Sequence, residues 1–272
     1  MMKKNILFFI VLVLAASCGN KSIIYKDPIP AHDSLRIFSK FINEERVINI
    51  WTPPNYDSTT DSLMVIYMPD GGIKEDFPHI ANTLDTLIKQ NKMPNVILVG
   101  IENTVRRRDL AGPSNIEYDL KYIPNPGGAE NFRKFIKEEL FPEIDQRYST
   151  NNQKAIIGES LAGLFIIETL ILEPTMFDYY IAMDPSLWFN ENYLVKNFES
   201  LTEENNYANK KLWYAGSSVT DISTYTNKLE QKLKDSKGEL IWKYEDEPNE
   251  KHHTIYRATK EKALIWIFSD FQ

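Results

Sequence analysis

The chain has 272 residues, of which 43% are hydrophobic and 25% are charged, and it contains 11 glycines and 14 prolines. This balance excludes collagen-like, coiled-coil and largely disordered chains, and the length suits one large α/β domain. A formal charge of −7 and the lack of a long basic block argue against nucleic acid as a partner. The single cysteine excludes an intramolecular disulfide and a zinc site built from several cysteines.

The beginning of the chain has the pattern of a bacterial export signal. Lys3 and Lys4 precede an apolar run from Ile6 to Ala16, which is too short to span a bilayer as a stable helix. The run ends in small residues before Cys18. This ending resembles the lipobox of bacterial lipoproteins, in which the cysteine becomes the lipidated first residue of the mature chain.

The signal defines the expected organisation of the chain. We expect a signal peptide over residues 1–17, a polar tether over 18–31 and a single domain over 32–272. Lipidation of Cys18 would anchor this domain in the cell envelope, at the periplasmic face or at the outer-membrane surface. The alternative is an ordinary cleaved signal with a chance cysteine nearby.

Short apolar runs of strand length alternate with stretches of helical periodicity along the rest of the chain. The strand-like runs cover 47–51, 63–68, 96–101, 155–158, 179–183, 212–215 and 240–244. The helix-like stretches cover 129–147, 161–172, 222–233 and 260–271. Pro142 is expected to kink or break the first of them. The alternation predicts βαβ units and an α/β fold with a mostly parallel central sheet and helices on both faces.

The segment with the clearest chemical content is an apolar strand that runs through Gly158 and Glu159 into Ser160 and then directly into an apolar helix. This context is typical of a nucleophile elbow, a strained strand-to-helix turn that exposes the serine hydroxyl. The backbone N–H of Leu161 then lies at a helix N-terminus, where unpaired amides and the helix dipole favour negative charge. We therefore predict Ser160 as a nucleophile and the Leu161 N–H as one donor of an oxyanion hole.

A serine nucleophile needs a base and a group that orients that base. His252 and His253 follow the last strand and precede the last helix, which suits the chain order serine, acid, histidine. Asp221, after the 212–215 strand, is the predicted acid, although it could instead cap the following helix. Asp184, at the end of the preceding strand, is its competitor.

A second oxyanion donor is expected from the loop after the 63–68 strand. Gly71 and Gly72 lie there, and glycines let the backbone approach a bound carbonyl closely. An ordinary Asp-Gly turn would have the same sequence. We favour the interpretation that the two glycines belong to the site.

With these residues assembled, the sequence resembles the putative esterase family of α/β-hydrolases, which includes enterochelin (siderophore) esterases, esterase-D-like enzymes, feruloyl esterases and mycolyltransferases. The similarity extends from about Ser34 to Phe268. The segments that carry it are 45–56, 65–71, 99–103, 106–110, 132–148, 158–165 and 184–188. The resemblance implies an α/β-hydrolase fold with Ser160 as nucleophile and an oxyanion loop at 70–72. It also implies that His252, rather than His253, is the base.

The chain departs from the family pattern at two positions. Ala162 stands where glycine is usual, and Asp184 stands where the family tends to have serine. The acid position varies within the family, and some siderophore esterases resemble Ser–His dyads. Asp221, Asp184 and a dyad therefore all stay open.

Three further residues are candidates for binding substrate. Arg106 and Arg108 belong to a basic run that could contact an anionic or catecholate substrate, or could lie in a solvated loop. Trp188 could wall the acyl pocket, or could belong to the core.

The expected function is that of a serine carboxylic-ester hydrolase acting through an acyl-enzyme. The substrate would be a siderophore-type lactone or a feruloyl or acetyl ester, either as a small molecule or linked to a glycan. No metal or organic cofactor is implied, and the membrane is the expected partner of Cys18. The alternatives are an acyltransferase of the same fold and a non-catalytic surface lipoprotein that binds a ligand.

Overall fold

A computed structural model describes residues 26–54, 56, 62–236 and 238–271, so the predicted signal peptide and Cys18 lie outside the described residues. Eight strands form one sheet in the order β1-β2-β4-β3-β5-β6-β7-β8. They are β1 (Asp33–Ser39), β2 (Glu44–Trp51), β3 (Leu63–Pro69), β4 (Val96–Ile101), β5 (Thr150–Glu159), β6 (Tyr179–Met183), β7 (Lys211–Ser217) and β8 (Ile241–Glu247). The pairs β1–β2 and β2–β4 are antiparallel and the other five are parallel, which confirms the predicted mostly parallel sheet.

Ten α-helical segments lie between the strands or after the last one in the described part of the chain. They are α1 (Phe77–Lys89), α2 (Arg106–Asp109), α3 (Glu117–Tyr122), α4 (Ala129–Phe135), α5 (Phe141–Arg147), α6 (Leu161–Leu172), α7 (Phe189–Lys196), α8 (Phe198–Thr202), α9 (Thr220–Asp235) and α10 (Ile255–Ile267). None of these helices is both long enough and apolar enough to cross a membrane.

Helices cover both faces of the sheet and divide the core into two layers. On one face, Phe132 of α4 and Phe165 of α6 pack against β3 to β6. On the other face, Phe77 of α1 and Leu264 of α10 pack against the same strands. Because both faces are covered, β3, β4 and β6 are buried at every position, which explains their nearly continuous apolar sequences.

The helix predicted over 129–147 is interrupted, but it does not end at Pro142. A π-helical segment, Ile136–Leu140, joins α4 to α5, and Pro142 lies in the first turn of α5. Proline lacks an N–H and its ring collides with the preceding turn of a regular α-helix. The wider π turn just before it relieves this conflict.

The last part of the predicted tether packs against the domain. Asp27 pairs with Arg257 of α10, where the Nη1 of Arg257 donates to Oδ1 of Asp27 at 3.0 Å. The carbonyl of Pro28 accepts a 2.7 Å hydrogen bond from the side chain of Asn82 in α1. The ring of His32 meets Phe77 edge-on. Residues 27–32 therefore lie across α1 and α10.

Candidate active site

Ser160 occupies a sharp turn between β5 and α6. Its backbone angles, φ 61° and ψ −115°, are unusual for a residue with a side chain and mark local strain. The turn is held by the Ser160 N–H, which donates to Met183 O at 2.9 Å, and by its carbonyl, which accepts from Ser186 N at 3.1 Å. A Cβ on Gly158 would lie 2.7 Å from that of Ala162, so the turn also requires this glycine. The arrangement has the geometry predicted for a nucleophile elbow.

His252 lies between Ser160 and a buried carboxylate. Its Nε2 is 3.0 Å from Ser160 Oγ, and its Nδ1 is 2.7 Å from Asp184 Oδ2. A carboxylate at this distance accepts a hydrogen bond from the Nδ1–H, which leaves Nε2 free to accept the serine proton. The three side chains therefore form a hydrogen-bonded triad of the Ser-His-Asp type.

Asp184 is fully buried and is fixed by a neighbouring strand. Its Oδ1 accepts the Ser217 N–H at 2.5 Å, and its Oδ2 accepts the Ser217 hydroxyl at 2.7 Å. Ser217 is the last residue of β7, so the acid from β6 is held by the strand beside it. A carboxylate that accepts several hydrogen bonds keeps one orientation toward the histidine.

The prediction that Asp221 orients the histidine is wrong. Asp221 lies exposed in the first turn of α9, and the carboxylate that contacts His252 belongs to Asp184. The physical reason is the sheet order, because β6 is the direct neighbour of β5 and Asp184 follows β6, whereas Asp221 lies beyond the end of β7. His253 is exposed beside His252.

The predicted oxyanion donors differ in their availability. Leu161 is the first residue of α6, and an α-helix offers no internal acceptor for its first N–H. The Gly71 N–H, in contrast, donates to Ile101 O at 2.9 Å, and the Gly72 N–H donates to Glu75 Oε2 at 2.7 Å. The structure therefore corrects the expectation that Gly71 and Gly72 present free amides.

The loop after β3 is tied to the loop after β4 by Glu75. Its Oε1 accepts the side-chain amide of Asn103 at 2.8 Å, while its Oε2 holds Gly72. Burial raises the pKa of the Glu75 carboxyl above its usual value, although these hydrogen bonds oppose the rise. Gly71 has a packing role in the same loop, because a Cβ there would lie 2.3 Å from the Cα of Gly100 in β4.

The two arginines predicted to bind substrate have different partners in the structure. Arg106 forms an ion pair with Asp70, the residue after β3. Its Nε donates to Asp70 Oδ1 at 2.5 Å, and its Nη2 donates to Asp70 Oδ2 at 2.7 Å. Burial lowers the pKa of Arg106, but the hydrogen bonds and charge of Asp70 outweigh burial, so the guanidinium is charged. Arg106 thus lies at the carboxyl edge of the sheet, with two of its nitrogens already engaged.

Arg108 is placed elsewhere and does not support the predicted substrate contact. Its Nη1 and Nη2 donate to the Glu44 carboxylate at 2.6 and 3.0 Å, and its Nε donates to Asp109 at 2.7 Å. Asp109 also holds the buried Arg46 of β2 at 2.5 Å. Arg108 therefore belongs to an ion-pair network that ties α2 to the antiparallel side of the sheet.

Glu159, which precedes the predicted nucleophile, was not singled out from the sequence. Its Oε1 is enclosed by protein and has no hydrogen-bond partner among the described residues. Burial, followed by the nearby carboxylates of Asp76 and Asp184, raises the pKa of Glu159 to about 9. The side chain is therefore a neutral carboxylic acid at pH 7. The only sign of this buried acid in the sequence was the position of a glutamate directly before Ser160.

Trp188 lies in the segment that is hydrogen-bonded to the backbone of Ser160, the predicted nucleophile. It follows Ser186, whose N–H donates to the Ser160 carbonyl, by two residues. Its ring is only partly buried and meets the rings of Tyr118 and Tyr122 edge-on.

A profile of the putative esterase family matches residues 39–263. Among curated proteins, the ferri-bacillibactin esterase BesA of Bacillus subtilis is 36% identical over 143 residues, which are 47% of this chain and 50% of that protein. The siderophore enterobactin esterase of Emericella nidulans is 36% identical over 67 residues, which are 24% of this chain and 22% of that protein. The chain thus spans about half the length, or less, of these relatives.

Solved structures with a similar fold cover most of the chain. An IroE-like serine hydrolase from Shewanella oneidensis has a TM-score of 0.79 and 27% identity, covering 89% of this chain and 81% of that chain. The enterobactin esterase FES from Shigella flexneri has a TM-score of 0.71 over 90% of this chain and 60% of that chain, and at 15% identity this likeness concerns the fold alone. The fold is that of an α/β-hydrolase. Since the family profile spans most of its length, the chain belongs to the putative esterase family.

Proposed function

We propose that the protein is a serine carboxylic-ester hydrolase that works through an acyl-enzyme. The observation that carries this proposal is the position of His252, within hydrogen-bond distance of both Ser160 Oγ and the buried Asp184 carboxylate. Membership of the putative esterase family agrees with this chemistry.

In the proposed reaction, Ser160 Oγ attacks the ester carbonyl while His252 Nε2 takes the hydroxyl proton. The Asp184 carboxylate stabilises the imidazolium that forms, and the Leu161 N–H donates to the oxyanion. Collapse of this intermediate breaks the ester C–O bond, and His252 gives its proton to the leaving alcohol. Water, deprotonated by the same nitrogen, then releases the acid and restores Ser160.

The substrate class that we propose is a siderophore-type ester or lactone. The support comes from two relatives, one named as an esterase of ferri-bacillibactin and the other as an esterase of the siderophore enterobactin. A hydroxy-acid lactone presents the same carbonyl and leaving oxygen as a simple ester, so the proposed steps apply to it unchanged.

Two substitutions test the hydrolase proposal on p-nitrophenyl acetate and on enterobactin. We expect Ser160→Ala and His252→Ala each to lower kcat/KM by at least roughly 1,000-fold, because each removes part of the nucleophile–base pair. His253→Ala is the matched control, since it deletes an exposed neighbouring imidazole, and it should retain the activity. Undiminished hydrolysis by Ser160→Ala would contradict the mechanism, whereas hydrolysis of p-nitrophenyl acetate alone would contradict the siderophore substrate.

We also propose that the enzyme is anchored in the cell envelope through a lipid on Cys18. The support is the sequence pattern of residues 1–18, and residues 27–32 lie on the surface of the domain, where a tether can leave it. In the native bacterium, the wild type should incorporate labelled palmitate and sediment with membranes. Cys18→Ser should do neither, and membrane sedimentation of this variant would overturn the lipid anchor.

A further inference from the structure

The last strand of the sheet, β8, has a free side. In the described part of the chain it pairs with β7 and with no other strand. All of its residues are at least partly exposed, and Ile241 at its beginning is 48% exposed. A strand at the edge of a sheet offers a row of unpaired backbone N–H and C=O groups to another strand. The free side of β8 can therefore pair with a strand of a second molecule.

The pairing with β7 determines which residues of β8 present their backbone at the free side. The Ile241 N–H donates to Lys210 O at 3.0 Å, so the backbone of Ile241 is turned toward β7. Backbone groups alternate in direction along a strand, and the pairing continues without a shift to the end of β8. The N–H and C=O groups of Trp242, Tyr244 and Asp246 therefore point away from β7.

The charges of β8 complement those of a second copy that runs in the opposite direction. The strand begins with apolar residues, has Lys243 in its first half and ends in the acidic run 245–247. When two copies pair antiparallel with Tyr244 opposite Tyr244, Lys243 of each copy lies opposite Glu245 of the other. Opposite charges in such positions stabilise paired strands. Each acidic residue of the run then faces an apolar or a basic residue.

The same register also uses the free backbone groups of β8. Residues with outward backbone groups lie opposite one another, Tyr244 against Tyr244 and Trp242 against Asp246, so each pair can exchange both of its N–H···O bonds. A slip of two residues in one direction would place Lys243 against Lys243, and a slip in the other direction would place Glu245 against Glu245. Like charges directly opposite each other are unfavourable. The pairing centred on Tyr244 is therefore the favoured one.

Contacts on both faces hold β8 in place. On one face, the ring of Tyr244 stacks on that of Tyr214 in β7, with centroids 4.7 Å apart. On the other face, Nζ of Lys243 is 2.6 Å from Oε1 of Glu245, and Nζ of Lys262 in α10 lies 3.8 Å from Oε2 of the same carboxylate. The strand is thus already ordered, so a second copy would not have to order it on binding.

We propose that two copies of this chain associate through antiparallel pairing of their β8 strands, centred on Tyr244. The proposal concerns assembly and does not depend on the proposed hydrolase function. Ser160 follows β5, which lies about 14 Å from β8 at the usual spacing of strands. The interface is therefore separate from the candidate active site, and one continuous sheet runs through both copies.

The mass of the full-length protein in detergent, measured by light scattering after gel filtration, tests the association. We expect a dimer at about 20 µM protein, with a Kd below roughly 10 µM. Lys243→Glu and Glu245→Lys each place like charges opposite each other across the interface, so each should raise the Kd by at least roughly 10-fold. A monomeric wild type at this concentration would overturn the proposal and would indicate that the charges of β8 protect a free edge.

Mixing these two variants separates the contact between chains from the ion pair within each chain. Each variant alone has lost the pair of Lys243 with Glu245 in its own strand. In a mixed dimer, however, both cross-strand positions bring opposite charges together, so the Kd should return to within roughly 3-fold of the wild-type value. If native mass spectrometry finds no mixed dimer, the proposed register is wrong.

A proline tests the backbone hydrogen bonds of the interface. Asp246 is exposed and its N–H points away from β7, so Asp246→Pro removes a donor from the free side and leaves the pairing with β7 intact. It should raise the Kd by at least roughly 10-fold. Asp246→Asn keeps the N–H and should stay close to the wild type. A dimer of wild-type strength in Asp246→Pro would mean that another surface joins the copies, and the proposal would fail.

Discussion

The site depends on single residues that directly follow strands. Asp70 after β3, Ser160 after β5 and Asp184 after β6 all adopt left-handed φ values, of 59°, 61° and 47°. Such turns cost free energy and bend the chain sharply, so each side chain is turned into the crevice at the carboxyl edge of the sheet. The same strain appears in the proposed nucleophile, in the proposed acid and in the partner of Arg106.

Replacing Asp184, the acid of the proposed triad, should lower kcat more than it weakens the binding of substrate. In Asp184→Asn the amide can hold the histidine in the wrong tautomer, so we expect kcat to fall by roughly 1,000- to 10,000-fold with little change in KM. Asp221→Asn is the matched control, and steady-state kinetics should show it close to the wild type. A larger loss of kcat in Asp221→Asn than in Asp184→Asn would return the acid role to Asp221.

Glu159 should make stability depend on pH. Its folded pKa of about 9 lies above the ordinary 4.5, so the group binds a proton in the folded state and releases it on unfolding. Its stabilisation is therefore complete below pH 4.5 and is lost as the pH rises toward 9. Glu159→Gln has no such proton, so at pH 8 its free energy of unfolding should exceed that of the wild type by about 1–3 kcal/mol.

Urea denaturation at pH 4 and at pH 8 measures this difference. The advantage of Glu159→Gln should appear at pH 8 and vanish at pH 4. Glu261→Gln, which changes an exposed glutamate on α10, should behave alike at both values. An equal effect of Glu159→Gln at the two pH values would show that the carboxyl does not titrate in this way.

At the scale of elements, the loop after β3 is seated directly on β4. A Cβ added to Gly71 would lie 2.3 Å from backbone atoms of Gly100 and Ile101, so the loop or β4 would have to move. We therefore expect Gly71→Ala to lower the free energy of unfolding by at least about 2 kcal/mol.

Thermal or urea denaturation checks this expectation against a second glycine. Gly238 is exposed, and the nearest atom to an added Cβ is the Ser236 hydroxyl at 3.3 Å. Gly238→Ala should change stability by no more than about 0.5 kcal/mol. Equal stability of the two variants would mean that the β3 loop is not packed as closely as described.

The elements that sequence predicts well are those whose environment is uniform. The bounds of β4, β6 and α6 agree with the predicted 96–101, 179–183 and 161–172, because these segments are almost entirely apolar and buried. The edge strand β1 was not predicted, since most of its residues face solvent and its sequence has no continuous apolar run. The last helix begins at Ile255, ahead of the predicted 260.

At the scale of the whole molecule, the order of the strands in the sheet decides which carboxylate reaches His252. This order could not be predicted from the sequence. The elbow motif indicated Ser160, chain order indicated the pair His252 and His253, and the family resemblance selected His252. The structure brings Ser160 and His252 together. The choice between Asp184 and Asp221 depended on which strand lies beside β5, and no local pattern contains that information. The contact between Tyr118 and Trp188 was equally hidden, because 69 residues separate them in the sequence.

Labelling by a fluorophosphonate tests the central claim, an activated nucleophile at Ser160, most directly. Intact-mass measurement followed by peptide mapping should show one adduct per chain, located on Ser160. Labelling should be lost in Ser160→Ala, slowed strongly in His252→Ala and unchanged in His253→Ala. An unlabelled wild-type protein, or an adduct that persists on another residue in Ser160→Ala, would contradict the claim.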